Sequence, residues 1–387
     1  MDFSFNDDQN MIREMARKFL DNECSTDKIR KLKEDDKGYD PETWTKMAEL
    51  GWMGLVIPEE YGGTGMGFLD LMIIMEEMGK GILPAPFFAT TALCSLPIIA
   101  FGTEEQKKEL LPGIASGERI WSLALVEAVG TYEPSGIELV ASRGGSDYVL
   151  KGVKLFVPYA NAATDFLVVA RTGSKGDKGD GGITVFVVDA KSQGINLEFM
   201  PTTAQDQRHE VRFENLRVSQ NAILGEEGRG WDVVEYIIQN AIVLKGAEMS
   251  GGVQTVLEMT NQYAKDRIQF DKPIGSFQAI QHKLVDMLTD IDALKYLVYE
   301  AAWNIDSGTP SRLLNSIVKA KANMVYQKAC LDGIDIHGAI GFTEEIDVSL
   351  YHIRTKANEF ELGGTDFHLN RVMEELESEE ALFKKVR

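Results

Sequence analysis

Hydrophobic positions in the first third of the chain recur every three to four residues, which is the spacing of amphipathic helices. Residues 6–20 follow this spacing, with Asn6 or Asp7 as a plausible cap. Asp40 as a cap and Pro41 in the first turn predict a second helix, which Gly51 ends. Further helices are predicted over residues 68–79, 85–101 and 103–111. This part of the chain is therefore predicted to be helical.

At residue 120 the spacing changes to the alternation that is typical of β-strands. Segments separated by Gly- and Asp-rich turns carry this pattern over residues 121–126, 148–157, 166–170, 183–188 and 210–213. The middle of the chain is therefore predicted to be a small all-β domain.

After Gly230 the helical spacing returns and continues to the end of the chain. One apolar stripe that indicates a helix packed in a bundle consists of Leu284, Met287, Leu288, Ile291, Leu294, Val298, Ala301 and Ile305. The predicted fold is α+β and multidomain. It comprises an N-terminal helical domain (1–118), a central β domain (119–232) and a C-terminal helical bundle (233–387).

Composition and charge narrow the classes of partner. With 387 residues, 44% hydrophobic and 26% charged, the chain has the composition of a globular protein. A formal net charge of −20 argues against a nucleic acid or an anionic bilayer as the main partner. The acidic start, the lack of an apolar run of about 18 residues and three scattered cysteines favour a cytoplasmic protein without a membrane span, a disulfide framework or a metal site.

Candidate chemistry concentrates in the turn between two long predicted helices, at residues 267–278. Arg267 can donate two hydrogen bonds to a pyrophosphate, Phe270 can cover an adenine, and Gln278 can reach a phosphate from a helix start. The alternative is a turn broken by Pro273 and Gly275 whose phenylalanines fill the core. The residues alone leave both interpretations open.

Several motifs in this sequence resemble those of the acyl-CoA dehydrogenase family. Residues 263–270 read YAKDRIQF and residues 273–278 read PIGSFQ, which together resemble that family's signature. Residues 58–63 (PEEYGG) resemble its N-terminal signature, and residues 336–342 (IHGAIGF) resemble its later glycine motif. They stand in the family's order, and the resemblance covers essentially the whole chain.

The resemblance implies an architecture and a chemistry. The family has an N-terminal helical domain, a central β domain and a C-terminal four-helix bundle, and its FAD is shared with the neighbouring subunit through the ADP half. Its members remove the α-proton of an acyl-CoA thioester with a carboxylate and pass the β-hydrogen to flavin N5. An acyl-CoA substrate, an acceptor like electron-transferring flavoprotein and a homo- or hetero-oligomer, in particular a tetramer, are therefore expected.

The resemblance also assigns residues to the cofactor. The ADP side is represented by Arg267, Phe270, Gln278, Gly338 and Gly341. Asp335 stands where the family usually has glutamine, which places a negative charge near the expected pyrophosphate, although a carboxylate can accept from an adenine amine or a ribose hydroxyl.

Residues expected on the flavin side depart further from the family pattern. The family's Thr-Glu-Pro corresponds to residues 126–128, so Val126 replaces a hydroxyl, and its Trp-Ile-Thr corresponds to residues 156–158. Backbone groups of Leu125, Val126 and Val157 remain candidates for bonding the flavin, with Phe156 as the aromatic platform. Pro158 has no N–H to donate.

The expected catalytic base is missing. The family's Glu-Gly-Thr motif aligns with residues 363–365, so Gly363 occupies the base position and Thr365 remains as a cofactor-contacting candidate. The alternative base position of some relatives falls near Ala241. Glu361, Asp366 and His368 are candidates for a displaced base, and the competing interpretation is that Thr365 and Asp366 only start a helix.

Three functions remain open from the sequence. The chain is an FAD-dependent dehydrogenase of an acyl-CoA thioester with an unusual base, or a non-catalytic subunit that completes a partner's FAD site. The third possibility is redox-neutral elimination or decarboxylation of an acyl-CoA. Losses on the side that serves its own flavin, with intact residues on the side that serves a neighbour, favour the second.

Overall fold

The computed structural model describes residues 4–174 and 181–385. Helices, then strands, then helices follow one another along the chain, as the hydrophobic pattern predicts. The N-terminal helices are Asp7–Glu23 (α1), Thr26–Leu32 (α2), Pro41–Glu49 (α3), Phe68–Gly81 (α4), Phe87–Thr90 (α5), Leu96–Phe101 (α6) and Glu104–Ala115 (α7).

Side-chain caps mark the starts of α1, α3 and α7. Asn6 caps α1 through a hydrogen bond from the Gln9 N–H, and Asp40 caps α3 with Pro41 in its first turn. Two details differ from the prediction. Helix α2 was not predicted, and the single helix expected over 85–101 is interrupted by a wider helical turn at Thr91–Ser95.

One sheet forms the middle of the chain. Its strands are Trp121–Ala124 (β1), Val140–Gly144 (β2), Asp147–Pro158 (β3), Asp165–Arg171 (β4), Ile183–Asp189 (β5), Ile195–Phe199 (β6), Arg208–Ser219 (β7) and Ile223–Leu224 (β8). The order is β6-β7-β3-β2-β4-β5-β8, and β1 pairs in parallel with β4. Alternate residues such as Tyr148, Leu150 and Phe213 enter a shared apolar core.

Long helices and one short hairpin complete the fold. They are Gly230–Asp266 (α8), Ile268–Gln269 (β9), Lys272–Pro273 (β10), Gln278–Asp306 (α9), Arg312–His337 (α10), Val348–Phe360 (α11) and Thr365–Lys385 (α12). The predicted stripe on α9 is buried at Met287, Ile291, Leu294 and Val298. Leu288 was wrongly placed in that stripe, since this residue is 45% exposed.

The chain packs into two compact units. The helical unit contains residues 1–29, 68–83 and 242–387, and the sheet unit contains residues 30–67 and 84–241. Because these units are defined by packing rather than by chain order, the sequence-based boundaries at 118 and 232 stay predictions.

Ion pairs and caps hold the segments of the helical unit together. Arg13 on α1 pairs with Glu76 on α4 at 2.9 Å, and the Asp306 carboxylate at the end of α9 accepts from the N–H groups of Phe68 and Leu69 at the start of α4. Three segments that are distant in sequence are thus fixed to one another.

In the part of the chain that the structure describes, no helix has both the length and the apolar character needed to cross a membrane. In the same residues, His, Cys, Asp and Glu side chains form no group of three that would hold a metal ion.

Candidate cofactor and active site

The hairpin after α8 presents an exposed aromatic ring. Its two turn residues, Phe270 and Asp271, both have positive φ angles, +52° and +63°, in a region that bulky L residues seldom adopt. Phe270 is 86% exposed, so the core-filling alternative is wrong for this residue. Backbone strain of this kind costs of order 1–3 kcal/mol and is typical of functional sites. The strain and the exposure together favour a binding role for Phe270.

Helix α9 begins directly after this hairpin. Gln278 is its exposed first residue, and within the described residues no side chain caps the helix start and no acidic residue lies in its first turn. A helix start of this kind attracts phosphate oxygens through its N–H groups and dipole. Arg267, which is also exposed, lies at the other end of the hairpin.

The later glycine loop is joined to this region by two contacts. Tyr263 near the end of α8 stacks on His337 with ring centroids 4.3 Å apart, and Lys283 on α9 forms an ion pair with Asp335. The structure therefore brings the hairpin, the start of α9 and the glycine loop to one end of the helical unit. The ion pair also offsets the negative charge that made Asp335 awkward next to a pyrophosphate.

Two glycines shape this loop. Gly338 ends α10 with φ +69°, and a Cβ at buried Gly341 would lie 2.8 Å from the Ile334 carbonyl oxygen. Sequence analysis missed Lys283, although a lysine in the second turn of α9 was a signal that could have been used. The residues present fit the ADP half of FAD.

The candidate flavin-side segments are brought together in the sheet unit. The Leu155 N–H donates to the Val126 carbonyl at 2.8 Å, and Lys154 Nζ donates to the Leu125 carbonyl at 2.9 Å. Phe156 is half exposed with φ +55°, and Val157 is buried. Each of these two carbonyls accepts one hydrogen bond from this chain, which holds the two segments side by side. Because Val126 carries no hydroxyl and Pro158 no N–H, the flavin side offers fewer polar groups than the family pattern does.

A buried charged network supports these segments. Lys154 Nζ lies 2.6 Å from Glu127 Oε1, and burial lowers the pKa of Lys154 to about 8 although Glu127 opposes this shift. The Glu127 carboxylate also accepts from the Glu138 and Leu139 N–H groups. Both segments are therefore held by side chains that sequence analysis did not identify.

Gly363, which the resemblance aligns with the family's base, has a backbone and surroundings that strain any larger residue. Gly363 has φ +110°, and a Cβ added there would overlap the Phe367 ring and come within 2.9 Å of His368 Nε2. Ala241, at the alternative base position, is fully buried and has no titratable group. Both positions lack a proton acceptor.

The candidates for a displaced base are placed differently. His368 is buried, and its Nε2 contacts the Leu362 carbonyl at 2.9 Å. Glu361 is mostly buried and pairs with Lys245 Nζ at 2.9 Å, while Lys245 also binds Glu248 at 2.6 Å. Burial lowers the pKa of Lys245, but Glu248 and Glu361 together raise it, so this lysine stays charged. Asp366 is exposed in the first turn of α12, where a carboxylate stabilises the helix start.

Three protein-family models match the chain in order. They describe the N-terminal domain of acyl-CoA dehydrogenase at residues 6–118, its middle domain at 122–216 and its C-terminal domain at 228–377.

Individual proteins agree with these matches. The probable acyl-CoA dehydrogenase YngJ of Bacillus subtilis is 33% identical over 90% of this chain and 92% of its own length. The caffeyl-CoA reductase-Etf complex subunit CarC of Acetobacterium woodii is 30% identical over 89% and 91%. A chain of the ChsE4-ChsE5 complex of Mycobacterium tuberculosis superposes with a TM-score of 0.88 at 26% identity, covering 97% of this chain and 99% of that one.

Proposed function

Because this chain belongs to the acyl-CoA dehydrogenase family, we propose that it is a subunit of a hetero-oligomeric dehydrogenase that completes the FAD site of a paired subunit. As an FAD-dependent flavoprotein of this family it serves acyl-CoA oxidoreduction. In the proposed assembly the carboxylate base and most of the flavin contacts belong to the paired subunit. Arg267, Phe270 and Gln278 of this chain bind the ADP half.

One observation carries this proposal: the geometry of Gly363. FAD supplies the hydride acceptor of the reaction when it is bound, but the α-proton needs a carboxylate within reach of the substrate. At the position that the resemblance aligns with that carboxylate, this chain has a glycine whose φ and whose nearness to the Phe367 ring make a larger residue unfavourable. A partner subunit with its own acid would supply the carboxylate that takes the α-proton.

The geometry of the ADP-side residues supports the same assignment, in which this chain binds the ADP half and the paired subunit supplies the base. Arg267 and Gln278 are exposed, and the Phe270 ring stands on a strained turn with 86% of its surface open. An arginine can donate two hydrogen bonds to a diphosphate, and an aromatic face can stack on an adenine. These side chains are thus available to a cofactor that is held mainly by another chain.

Relatives suggest the other partners. Similarity to a subunit of a caffeyl-CoA reductase-Etf complex supports an electron-transferring flavoprotein as redox partner, and similarity to a chain of the ChsE4-ChsE5 complex supports association with a different subunit. The proposal includes a tetramer in the cytoplasm, with an acyl-CoA thioester as substrate and domain boundaries at 118 and 232.

A second candidate function is an independent dehydrogenase in which Glu361 is the displaced base. It is favoured by the position of Glu361, two residues before Gly363 and mostly buried. The ammonium of Lys245 at 2.9 Å opposes this role, because a carboxylate paired with a buried cation is stabilised in its charged form.

Substituting Glu361 and Asp366 distinguishes between the two candidate functions. In the purified complex, Glu361→Gln and Asp366→Asn are expected to leave bleaching of the flavin by an acyl-CoA unchanged per bound FAD, since neither acid takes the proton. The measurement is anaerobic flavin absorbance with butyryl-CoA and with 3-phenylpropanoyl-CoA, two saturated thioesters that can donate a hydride, using exposed Glu344→Gln as control. If bleaching is lost in Glu361→Gln while FAD is retained, the chain has its own base and the proposal is wrong.

A further inference from the structure

One ion pair joins the two helix ends that border the ADP-side residues. Lys283 lies in the second turn of α9, and its ammonium pairs with the carboxylate of Asp335 in the last turn of α10. The two side chains are 38% and 68% exposed. An ion pair with this exposure contributes little to the stability of a fold. The pair is therefore better explained by its place in the molecule than by stability.

Neither helix end favours the charge that it carries. Asp335 lies among the last carbonyls of α10, where the helix dipole disfavours a negative charge. Lys283 follows the start of α9, where a positive charge gains nothing from the dipole. Because helical side chains lean toward the N-terminus of their helix, the Lys283 stem is directed back toward that start. Two locally unfavourable charges thus meet beside the residues expected at the diphosphate.

The glycine loop fixes the backbone of Asp335. The Gly338 N–H donates to the Asp335 carbonyl, and Nδ1 of the buried His337 ring lies 2.7 Å from the Gly333 carbonyl oxygen. Tyr263 at the end of α8 stacks on the same ring. Asp335 is therefore held at the loop that the resemblance assigns to the ADP half.

A carboxylate at this place conflicts with the binding of a diphosphate. The family usually has an uncharged glutamine where this chain has Asp335, and the chain has a formal net charge of −20. A diphosphate is itself anionic, so a nearby carboxylate without a cation repels it. Binding of the ADP half therefore requires a positive charge that compensates Asp335.

We propose that Lys283 is a positioning residue for the ADP half of FAD that acts through Asp335. Its ammonium compensates the carboxylate and orients it to accept a hydrogen bond from the adenosine, which a glutamine amide oxygen can also accept. This inference rests on the proposed function, in which this chain binds the ADP half. Lys283 is then needed only while residue 335 is an acid, so the effects of substituting the two residues are not additive.

Three variants of the complex with the paired subunit test this coupling. The measurement is the dissociation constant of FAD, from the change in flavin fluorescence as the apo-complex is titrated. Lys283→Met leaves the Asp335 carboxylate without its cation and is expected to weaken FAD binding by about tenfold or more. Asp335→Gln, which introduces the family's residue, and the double variant Lys283→Met/Asp335→Gln are both expected to bind FAD within about threefold of wild type.

Lys321→Met is the matched control for loss of an ion pair between the same two helices. Lys321 on α10 pairs with Asp290 on α9 at 2.7 Å, and its side chain is 28% exposed. Because this pair lies away from the helix ends, the control is expected to leave FAD binding unchanged. A similar loss of affinity in Lys283→Met and Lys321→Met would show that only the packing of α9 against α10 matters, and would overturn the proposal.

Two other results would also overturn it. One is an unchanged affinity in Lys283→Met, and the other is a double variant that binds FAD as weakly as Lys283→Met alone. Arg267→Ala distinguishes failure of this inference from failure of the proposed function. If Arg267→Ala weakens FAD binding and Lys283→Met does not, only the role of Lys283 is wrong. If neither variant weakens it, this chain does not bind the ADP half and the proposed function fails as well.

Discussion

Replacing Gly363 with glutamate, which would restore the family's acid in sequence, is expected to destabilise the chain by about 2–5 kcal/mol without creating activity. This range combines backbone strain at φ +110° with overlap of the new side chain and the Phe367 ring. The measurement is the denaturation midpoint of the purified variant, together with flavin bleaching by an acyl-CoA.

Gly364→Ala is the matched control for this substitution. Its added Cβ would lie 3.9 Å from the Phe360 ring, which is an ordinary contact, so little change in stability is expected. A Gly363→Glu variant with normal stability and with acyl-CoA dehydrogenase activity would show that the turn accepts an acid, and would contradict a packing-based exclusion of the base.

Arg267→Ala is expected to remove FAD from the complex with the paired subunit. Charge-assisted hydrogen bonds contribute about 1.5–3 kcal/mol, so the affinity for FAD should fall by about 10- to 150-fold. The measurement is the flavin-to-protein ratio after gel filtration, supported by titration of the apo-complex with FAD.

Arg229→Ala is a suitable control for Arg267→Ala. Arg229 is also an exposed arginine, and its guanidinium pairs with the nearby Asp232 carboxylate. Both residues are distant in sequence from the hairpin. Its substitution is expected to leave FAD bound. Full FAD occupancy in the Arg267→Ala complex would reject the assignment of this hairpin to the shared cofactor.

Local signals in the sequence were sufficient to predict much of the fold. Asn6, Asp40 and Thr103 start helices as predicted, because a cap acts on N–H groups within three residues of it. The order of helices, strands and helices is confirmed as well. The exposed Leu288 shows the limit, since the spacing defines an apolar face but not how much of that face another helix covers.

The candidate site was less predictable because its key contacts join distant segments. Motifs located the hairpin, the glycine loop and the base position. Nothing in the sequence indicates that Lys245 pairs with Glu361, that Lys283 pairs with Asp335, or that Lys319 donates to the Gly363 carbonyl. The roles assigned to the site residues stay predictions.

The structure provides a physical reason for the glycine at position 363, which comparison of sequence motifs alone does not provide. A missing acid in the sequence is equally consistent with a base supplied from a neighbouring position. The positive φ, the Phe367 ring and the carbonyl contact with Lys319 instead describe a turn built around glycine. The predicted loss of the acid is thus matched by a backbone and packing that disfavour a larger residue at this position.

The flavin content of this chain, purified alone and then together with its paired subunit, tests the central claim most directly. A subunit that completes a partner's site is expected to be nearly colourless alone and to form a yellow complex with one FAD for each pair of different subunits. A chain that purifies alone with one FAD per polypeptide and is bleached by an acyl-CoA would contradict this claim, and would identify the protein as an independent dehydrogenase.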